Sequence, residues 1–256
     1  MINIEVVPVL RDNYAYVLVE GSQGEATVID PSEGEPILEY LNSQGYRLRS
    51  VWNTHHHYDH VGGNEFLREQ TGCEVVAPAA DMGRVPAQTR GVQEGDVLTV
   101  GATDFKVFET PGHTLGAVSF FSGKDLFSGD TLFLAGCGRL FEGSPEQMWA
   151  SLSRLASLPP ETRVWCGHEY TEASLIFAQW LEPGSSAIQA RLEQTRRARA
   201  EGLPTVPATI AEELLTNPFL RADDSLLLSV ISEHHGVDLE PGSDCFAWVR
   251  AQKDSF

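Results

Sequence analysis

Lysine is almost missing from this chain: Lys106, Lys124 and Lys253 stand against fifteen arginines among 256 residues. Acidic residues dominate, and the formal net charge is -18 at pH 7. Nucleic acid and anionic membrane surfaces select basic faces, so neither is expected as the main partner. An anionic small molecule would have to be held by a few local cations. Cysteine is sparse too. Cys73, Cys137, Cys166 and Cys245 are scattered and form no C-x-x-C pair, which suits a reducing cytosol better than a disulfide framework. No apolar run approaches the ~20 residues that span a bilayer. Met1-Ile2-Asn3-Ile4-Glu5 shows no basic segment leading into an apolar one. The expectation is a cytoplasmic globular protein, monomeric because no exposed apolar stripe stands out.

The first two-thirds alternate short β-type runs with turns and a few helices. Period-two patterning marks Ile4–Val6, Tyr14–Leu18 and Ala26–Val28, divided by Gly21 and Gly24. Helices are predicted around Pro36–Leu41, ended by Gly45, and over Asn64–Gln70, stopped by Gly72. Val51–Asn53 reads as a strand. Further strands are expected at Cys73–Ala77, Val97–Val100, Phe105–Thr110, Ala117–Ser122, Leu126–Ser128 and Arg163–Cys166, with a helix over Pro145–Leu158. Near residue 170 strand-like runs disappear. Helical patterns follow at Ala173–Leu181, Ser186–Ala200, Thr209–Leu215 and Leu226–His234, the third opened by the capping box Thr209-Ile210-Ala211-Glu212. A β-rich domain over 1–170 and a helical one over 171–256 are therefore expected.

One segment, Thr54-His55-His56-His57-Tyr58-Asp59-His60, is dense in side chains that ligate metals. Packing does not explain it, because buried imidazoles and carboxylates need partners. His113 in T-P-G-H-T, Asp130 in S-G-D-T and His168 in C-G-H-E each follow a predicted strand beside a glycine, where a side chain is held on a rigid edge. Five histidines and two aspartates exceed one four-coordinate ion, so two ions are expected. His55, His57 and His113 would serve the first, Asp59, His60 and His168 the second, and Asp130 would bridge. Nitrogen and oxygen donors without thiolate suit Zn²⁺, Fe or Mn²⁺, and geometry rather than composition selects among them; Zn²⁺ is the expected ion. Two ions about 3.5–4 Å apart lower the pKa of a shared water towards about 7. His56 occupies a spacer position and is expected to support the ligands or face solvent. His234-His235 precede Gly236 at a helix end and read as capping, not ligation.

The H-x-H-x-D-H run with His113, Asp130 and His168 resembles the metallo-β-lactamase superfamily. Arg11-Asp12-Asn13-Tyr14, Ala135 to Gly143, Gly167 to Thr171, Asn217 to Arg221 and Arg250 to Asp254 resemble its hydroxyacylglutathione hydrolases (glyoxalase II). The resemblance implies an α+β fold, an αββα sandwich over 1–170 followed by a smaller helical substrate-binding domain. It implies two divalent ions and a glutathione thioester as substrate, with Arg139, Tyr170, Arg250 and Lys253 holding the glutathione moiety. Taken alone, Arg250 and Lys253 read as part of a solvated terminal helix, and Arg221 reads equally as a domain-interface salt bridge. Some members carry Lys and Tyr where this chain has Arg139 and Phe141, and Phe141 lacks the hydroxyl.

The reaction so implied is hydrolysis of S-D-lactoylglutathione to D-lactate and glutathione, the second step of methylglyoxal detoxification. A hydroxide shared by the ions attacks the thioester carbonyl, with Asp59 and Asp130 as the catalytic carboxylates. The competing readings are a glutathione persulfide dioxygenase with a single iron, a lactonase of the same superfamily, and a metal-binding module without activity.

Overall fold

The computed structural model describes residues 2–20 and 24–256, so Gly21 lies outside the described residues. The chain groups into two compact units, one of Met1–Thr110 with Leu115–Gly129, the other of Pro111–Thr114 with Asp130–Phe256.

In the first unit β1 (Ile2–Val9), β2 (Asn13–Glu20), β3 (Glu25–Ile29), β4 (Arg47–Trp52), β5 (Glu74–Pro78) and β6 (Arg90–Val92) form one sheet in chain order. The pairing changes from antiparallel to parallel at β3, because the crossovers from there carry helices. These are α1 (Gly34–Gln44), the single turn α2 (Tyr58–Val61) and α3 (Asn64–Thr71). Ile37 and Leu41 of α1 and Leu67 of α3 pack with Val17, Val28 and Val51 of the sheet. Gly45 and Gly72 end α1 and α3 as predicted, both at φ 71° in the left-handed region that favours glycine. β7 (Val97–Val100), β8 (Thr103–Glu109), β9 (Val118–Phe121) and β10 (Asp125–Gly129) pair antiparallel in sequence order.

Strand β2 departs from the alternation read in its sequence, since every residue from Asn13 to Val19 is buried. Its second face is covered: Tyr16 meets Phe127 edge-on at 5.2 Å, and Trp52 of β4 meets Phe105 and Phe120 at 5.4 Å each. Each such side chain contributes about 1.5–3 kcal/mol by leaving water. This aromatic layer backs the end of β4, from which the histidine segment departs.

The second unit opens with the two-residue strands β11 (Leu132–Phe133) and β12 (Gly136–Cys137), then α4 (Pro145–Ala156) and β13 (Arg163–Cys166). A capping box of Ser144 and Gln147 starts α4. Helices α5 (Thr171–Leu181) and α6 (Ser186–Ala200) follow, then β14 (Ala208–Thr209), α7 (Ile210–Thr216), α8 (Ser225–His235) and α9 (Ser243–Ser255). The predicted Thr209–Glu212 capping box is present. Strand β14 corrects the expectation that strands stop near 170: Arg163 and Val164 pair with Thr209 and Ala208. Two residues are too short a run to show periodicity.

Helix α9 is no solvated tail, because Cys245, Phe246, Val249 and Arg250 are buried. His235 also differs from its expected role. Its Nε2 bonds the carbonyl of Leu181 at 3.0 Å, and its ring rests on Trp180 and Trp248. It therefore caps α5, while Gly236 at φ 69° closes α8. Among the described residues no helix is long and apolar enough to cross a membrane.

Candidate metal centre

The first group of candidate ligands lies where β4 gives way to α2. Asp30, just past β3, holds this segment in place. Its carboxylate accepts from the Thr54 amide at 2.8 Å, the Thr54 hydroxyl at 2.7 Å and His60 Nδ1 at 3.0 Å. Asp30 is at φ 50°, in the left-handed region, which aspartate tolerates better than most residues. An ionised carboxylate only accepts, so His60 carries its proton on Nδ1 and presents Nε2 as the donor atom. The Thr54 hydroxyl is committed to Asp30 and in turn accepts from His55 Nδ1 at 3.0 Å, which leaves Nε2 as the His55 donor. His55 Nε2 and His57 Nδ1 lie 3.1 Å apart, and His60 Nε2 lies 3.8 Å from Asp59 Oδ2. Asn13 donates to Asp59 twice, at 2.9 Å to its carbonyl and 3.1 Å to Oδ2, and Ser32 donates to the same carbonyl. The chain turns sharply behind this group: a Cβ on Gly63 would lie 2.7 Å from the Pro31 carbonyl.

The second group is His113, Asp130 and His168. Asp130 Oδ2 lies 3.4 Å from His113 Nε2 and 3.3 Å from His168 Nε2. Both separations exceed ordinary N–H···O distances, which suits donors converging on a shared point better than a hydrogen-bonded trio. His113 Nδ1 donates to the Arg139 carbonyl at 2.8 Å, so Nε2 is its donor atom as well. His168 stacks face to face on Tyr170 at 4.7 Å, and Phe133 meets both rings edge-on. Gly138 admits no side chain, because a Cβ there would lie 2.0 Å from the Asp130 carbonyl.

Among the described residues, the His, Cys, Asp and Glu side chains grouped closely enough to hold an ion are drawn from His55, His57, Asp59, His60, His113, Asp130 and His168, and from no others. The donor chemistry fits divalent metal: imidazole nitrogens and carboxylates, with the three tautomers above set by hydrogen bonds behind the rings.

The model of the metallo-β-lactamase superfamily matches residues 9–168, and that of the hydroxyacylglutathione hydrolase C-terminus matches residues 169–256. The hydroxyacylglutathione hydrolase of Methylococcus capsulatus is 46% identical over 258 residues, covering 100% of this chain and 99% of that protein. The chain belongs to the hydroxyacylglutathione hydrolase family. This hydrolase has the metallo-β-lactamase fold, α+β, followed by C-terminal helices, as expected from its sequence. The structure of ETHE1 from Myxococcus xanthus superposes with a TM-score of 0.68 at 27% identity, over 99% of each chain. That of TTHA1623 in a di-iron-bound form does so at 0.60 and 29% identity, over 85% of this chain and 99% of that one.

The residues expected to hold glutathione differ widely in setting. Arg139 is mostly exposed, with Nε 3.9 Å from Asp254. Tyr170 is 38% exposed above His168. Lys253 donates to the Ala173 carbonyl at 3.2 Å between the rings of Phe177 and Phe256. Burial, then Arg250 and Arg139, lower its pKa. Arg250 is buried and committed to its own fold: Nη1 donates to the Cys137 carbonyl at 3.0 Å and Nη2 to Asp254 at 2.8 Å. Arg221 lies in the C-terminal segment and pairs there with Glu182 at 2.7 Å and Asp224 at 3.2 Å. That pair is internal to 171–256, not the domain-interface bridge considered from sequence. His56 is half-buried and clamped, with Nδ1 at 3.1 Å from Asp81 and Nε2 at 2.6 Å from Arg84. It supports the segment, as its spacer position suggested.

Sequence reasoning missed Asp30 and Asp81, and named Thr54 and Asn13 only within their motifs, without a role. Asp30 was accessible, because it follows a predicted strand just as Asp130 does. Asn13 stands in the Arg11–Tyr14 motif, which marks it without giving its partner, and Asp81 carries no local sign of its role.

Proposed function

We propose that this hydrolase cleaves the thioester of an S-(2-hydroxyacyl)glutathione, with S-D-lactoylglutathione as the defining substrate, yielding a 2-hydroxy acid and glutathione. The observation that carries this reading is similarity to hydroxyacylglutathione hydrolases that runs the full length of the chain, through the C-terminal helices. We assign residues 1–170 to catalysis and 171–256 to substrate binding. His55, His57 and His113 would hold one ion, Asp59, His60 and His168 a second, with Asp130 serving both. When bound, two such ions, Zn²⁺ foremost, supply Lewis acidity and lower the pKa of water from 15.7 towards about 7.

The chain's own residues do the remaining work. Asp30, Thr54 and the Arg139 carbonyl hold His60, His55 and His113 in the tautomers that present Nε2. Asp59 and Asp130 are the carboxylates we place in catalysis. Arg139 and Lys253 supply cations for the glutathione carboxylates in an otherwise acidic protein, with Tyr170 beside them and the buried Arg250 backing that surface through its ion pair with Asp254. A thiolate whose conjugate acid has a pKa near 8.5 leaves without a dedicated general acid. We place the enzyme in the cytoplasm as a monomer, a setting supported by four buried cysteines that form no disulfide.

Thioester hydrolysis by the purified, metal-loaded protein tests this reading. Thiol release from S-D-lactoylglutathione is expected, with its abolition by a chelator and recovery on adding Zn²⁺. Elemental analysis of the same sample should find two ions. Loaded protein that releases no thiol removes the substrate assignment.

A further inference from the structure

Between Asp130 and α4 the chain makes a tight hairpin, β11 and β12, whose turn residue Ala135 is at φ 55°, in the left-handed region. Alanine is disfavoured there, so the turn depends on outside support. That support comes from the C-terminal helices. The buried carboxylate of Glu213 on α7 accepts the Ala135 amide at 2.7 Å. Asn217, also fully buried, places its NH₂, with two protons to give, among three acceptors: the carbonyls of Phe133 at 3.2 Å and Gly136 at 3.0 Å and a Glu213 oxygen at 2.9 Å. Arg191 of α6 pairs with the other Glu213 oxygen. Three backbone polar groups of one turn are thus met by two side chains about eighty residues further along the chain.

This hairpin begins two residues after Asp130. Its Phe133 ring stands against His168 at 5.7 Å and Tyr170 at 5.5 Å. A shift of the turn would therefore be felt by two candidate ligands and by a candidate substrate contact at once. We infer that Glu213 and Asn217 are positioning residues of the reaction: through the Phe133–Gly136 turn they hold Asp130, and through the Phe133 ring they hold the His168–Tyr170 stack. The C-terminal helices then serve the metal centre as well as the glutathione moiety. This inference rests on the reading of the site as a metal-dependent thioesterase.

The test compares wild type with Glu213→Gln and Asn217→Ala in the full chain. Amide hydrogen exchange of the peptide spanning Ala135 should quicken at least tenfold in each variant, at a denaturant-free temperature well below unfolding. Metal loss to a chelator should quicken as well. For S-D-lactoylglutathione kcat should fall tenfold or more while KM stays within about threefold. If Glu213→Gln does not fold, because Arg191 loses its charge partner, Asn217→Ala keeps that pair and carries the test. A folded variant with wild-type exchange at Ala135, metal retention and kcat overturns the inference. So does one whose unfolding midpoint alone has fallen, which is a purely structural role. A wild-type protein that fails to cleave the thioester, while the variants still shed metal faster, overturns the substrate reading and leaves the positioning role standing.

Discussion

Asparagine in place of Asp30 exchanges one oxygen for an amide nitrogen and leaves the backbone undisturbed, since asparagine also tolerates φ 50°. The native carboxylate accepts three hydrogen bonds, from the Thr54 amide, the Thr54 hydroxyl and His60 Nδ1. Asparagine has one oxygen to share. If that oxygen faces the Thr54 amide, the new NH₂ faces His60 Nδ1, and the ring must accept there and carry its proton on Nε2. That is the atom assigned to the second ion. If the amide flips, its NH₂ meets the Thr54 N–H, and a buried donor goes unmet at a cost of about 1–3 kcal/mol. Loss of an acceptor behind a ligating histidine typically lowers metal affinity by about 10–100-fold, or about 1.4–2.8 kcal/mol. Asp30→Asn should therefore bind the second ion that much more weakly, and the first more weakly as well, because the Thr54 hydroxyl that orients His55 loses its acceptor in the same exchange. Competition against a graded chelator, with elemental analysis at each point, reads this directly. Two ions bound at wild-type affinity would refute both the tautomer argument and the place given to His60.

Arg221→Met should destabilise the protein by about 3–5 kcal/mol, because Glu182 is left buried without its partner. Glu182→Leu/Arg221→Met should recover most of that loss in denaturant unfolding; equal losses in both variants would discard the ion-pair account. Tyr40 has its pKa pushed up to about 12, chiefly by burial and then by its hydrogen bond to Glu5. A raised folded-state pKa means the neutral phenol is favoured by the fold. Its contribution is complete below pH 10 and is lost as pH rises from about 10 to about 12. In a Tyr46→Phe background, ultraviolet titration should show Glu5→Gln bringing Tyr40 towards 10, and an unmoved titration would count against the contact.

Much of this molecule could be read from short stretches of sequence. The glycine stops at Gly45 and Gly72 and the capping box at Thr209 stood out because each is a matter of three or four neighbouring residues and their backbone geometry. The strand over Arg163–Cys166 and the helix over Ser186–Ala200 match their predicted bounds, the first centred on Val164 and Trp165 and the second rich in Ala, Arg and Gln. Strand β14 did not stand out, having only two residues, and the full burial of β2 depends on Phe127, more than a hundred residues away. Arg250 read as a surface cation because nothing near it in sequence announces the Cys137 carbonyl that it meets.

Donor types and their spacing, and with them the superfamily, are legible along the chain because ligand chemistry is written in side-chain identity. Tertiary structure decided what each donor atom is prepared to do. Asp30 sets the proton of His60 across thirty residues, and Glu213 holds the amide of Ala135 across seventy-eight. Hydrogen bonds and burial act over a few ångströms of space whatever the separation along the chain, so roles that depend on them emerge only once the chain has folded.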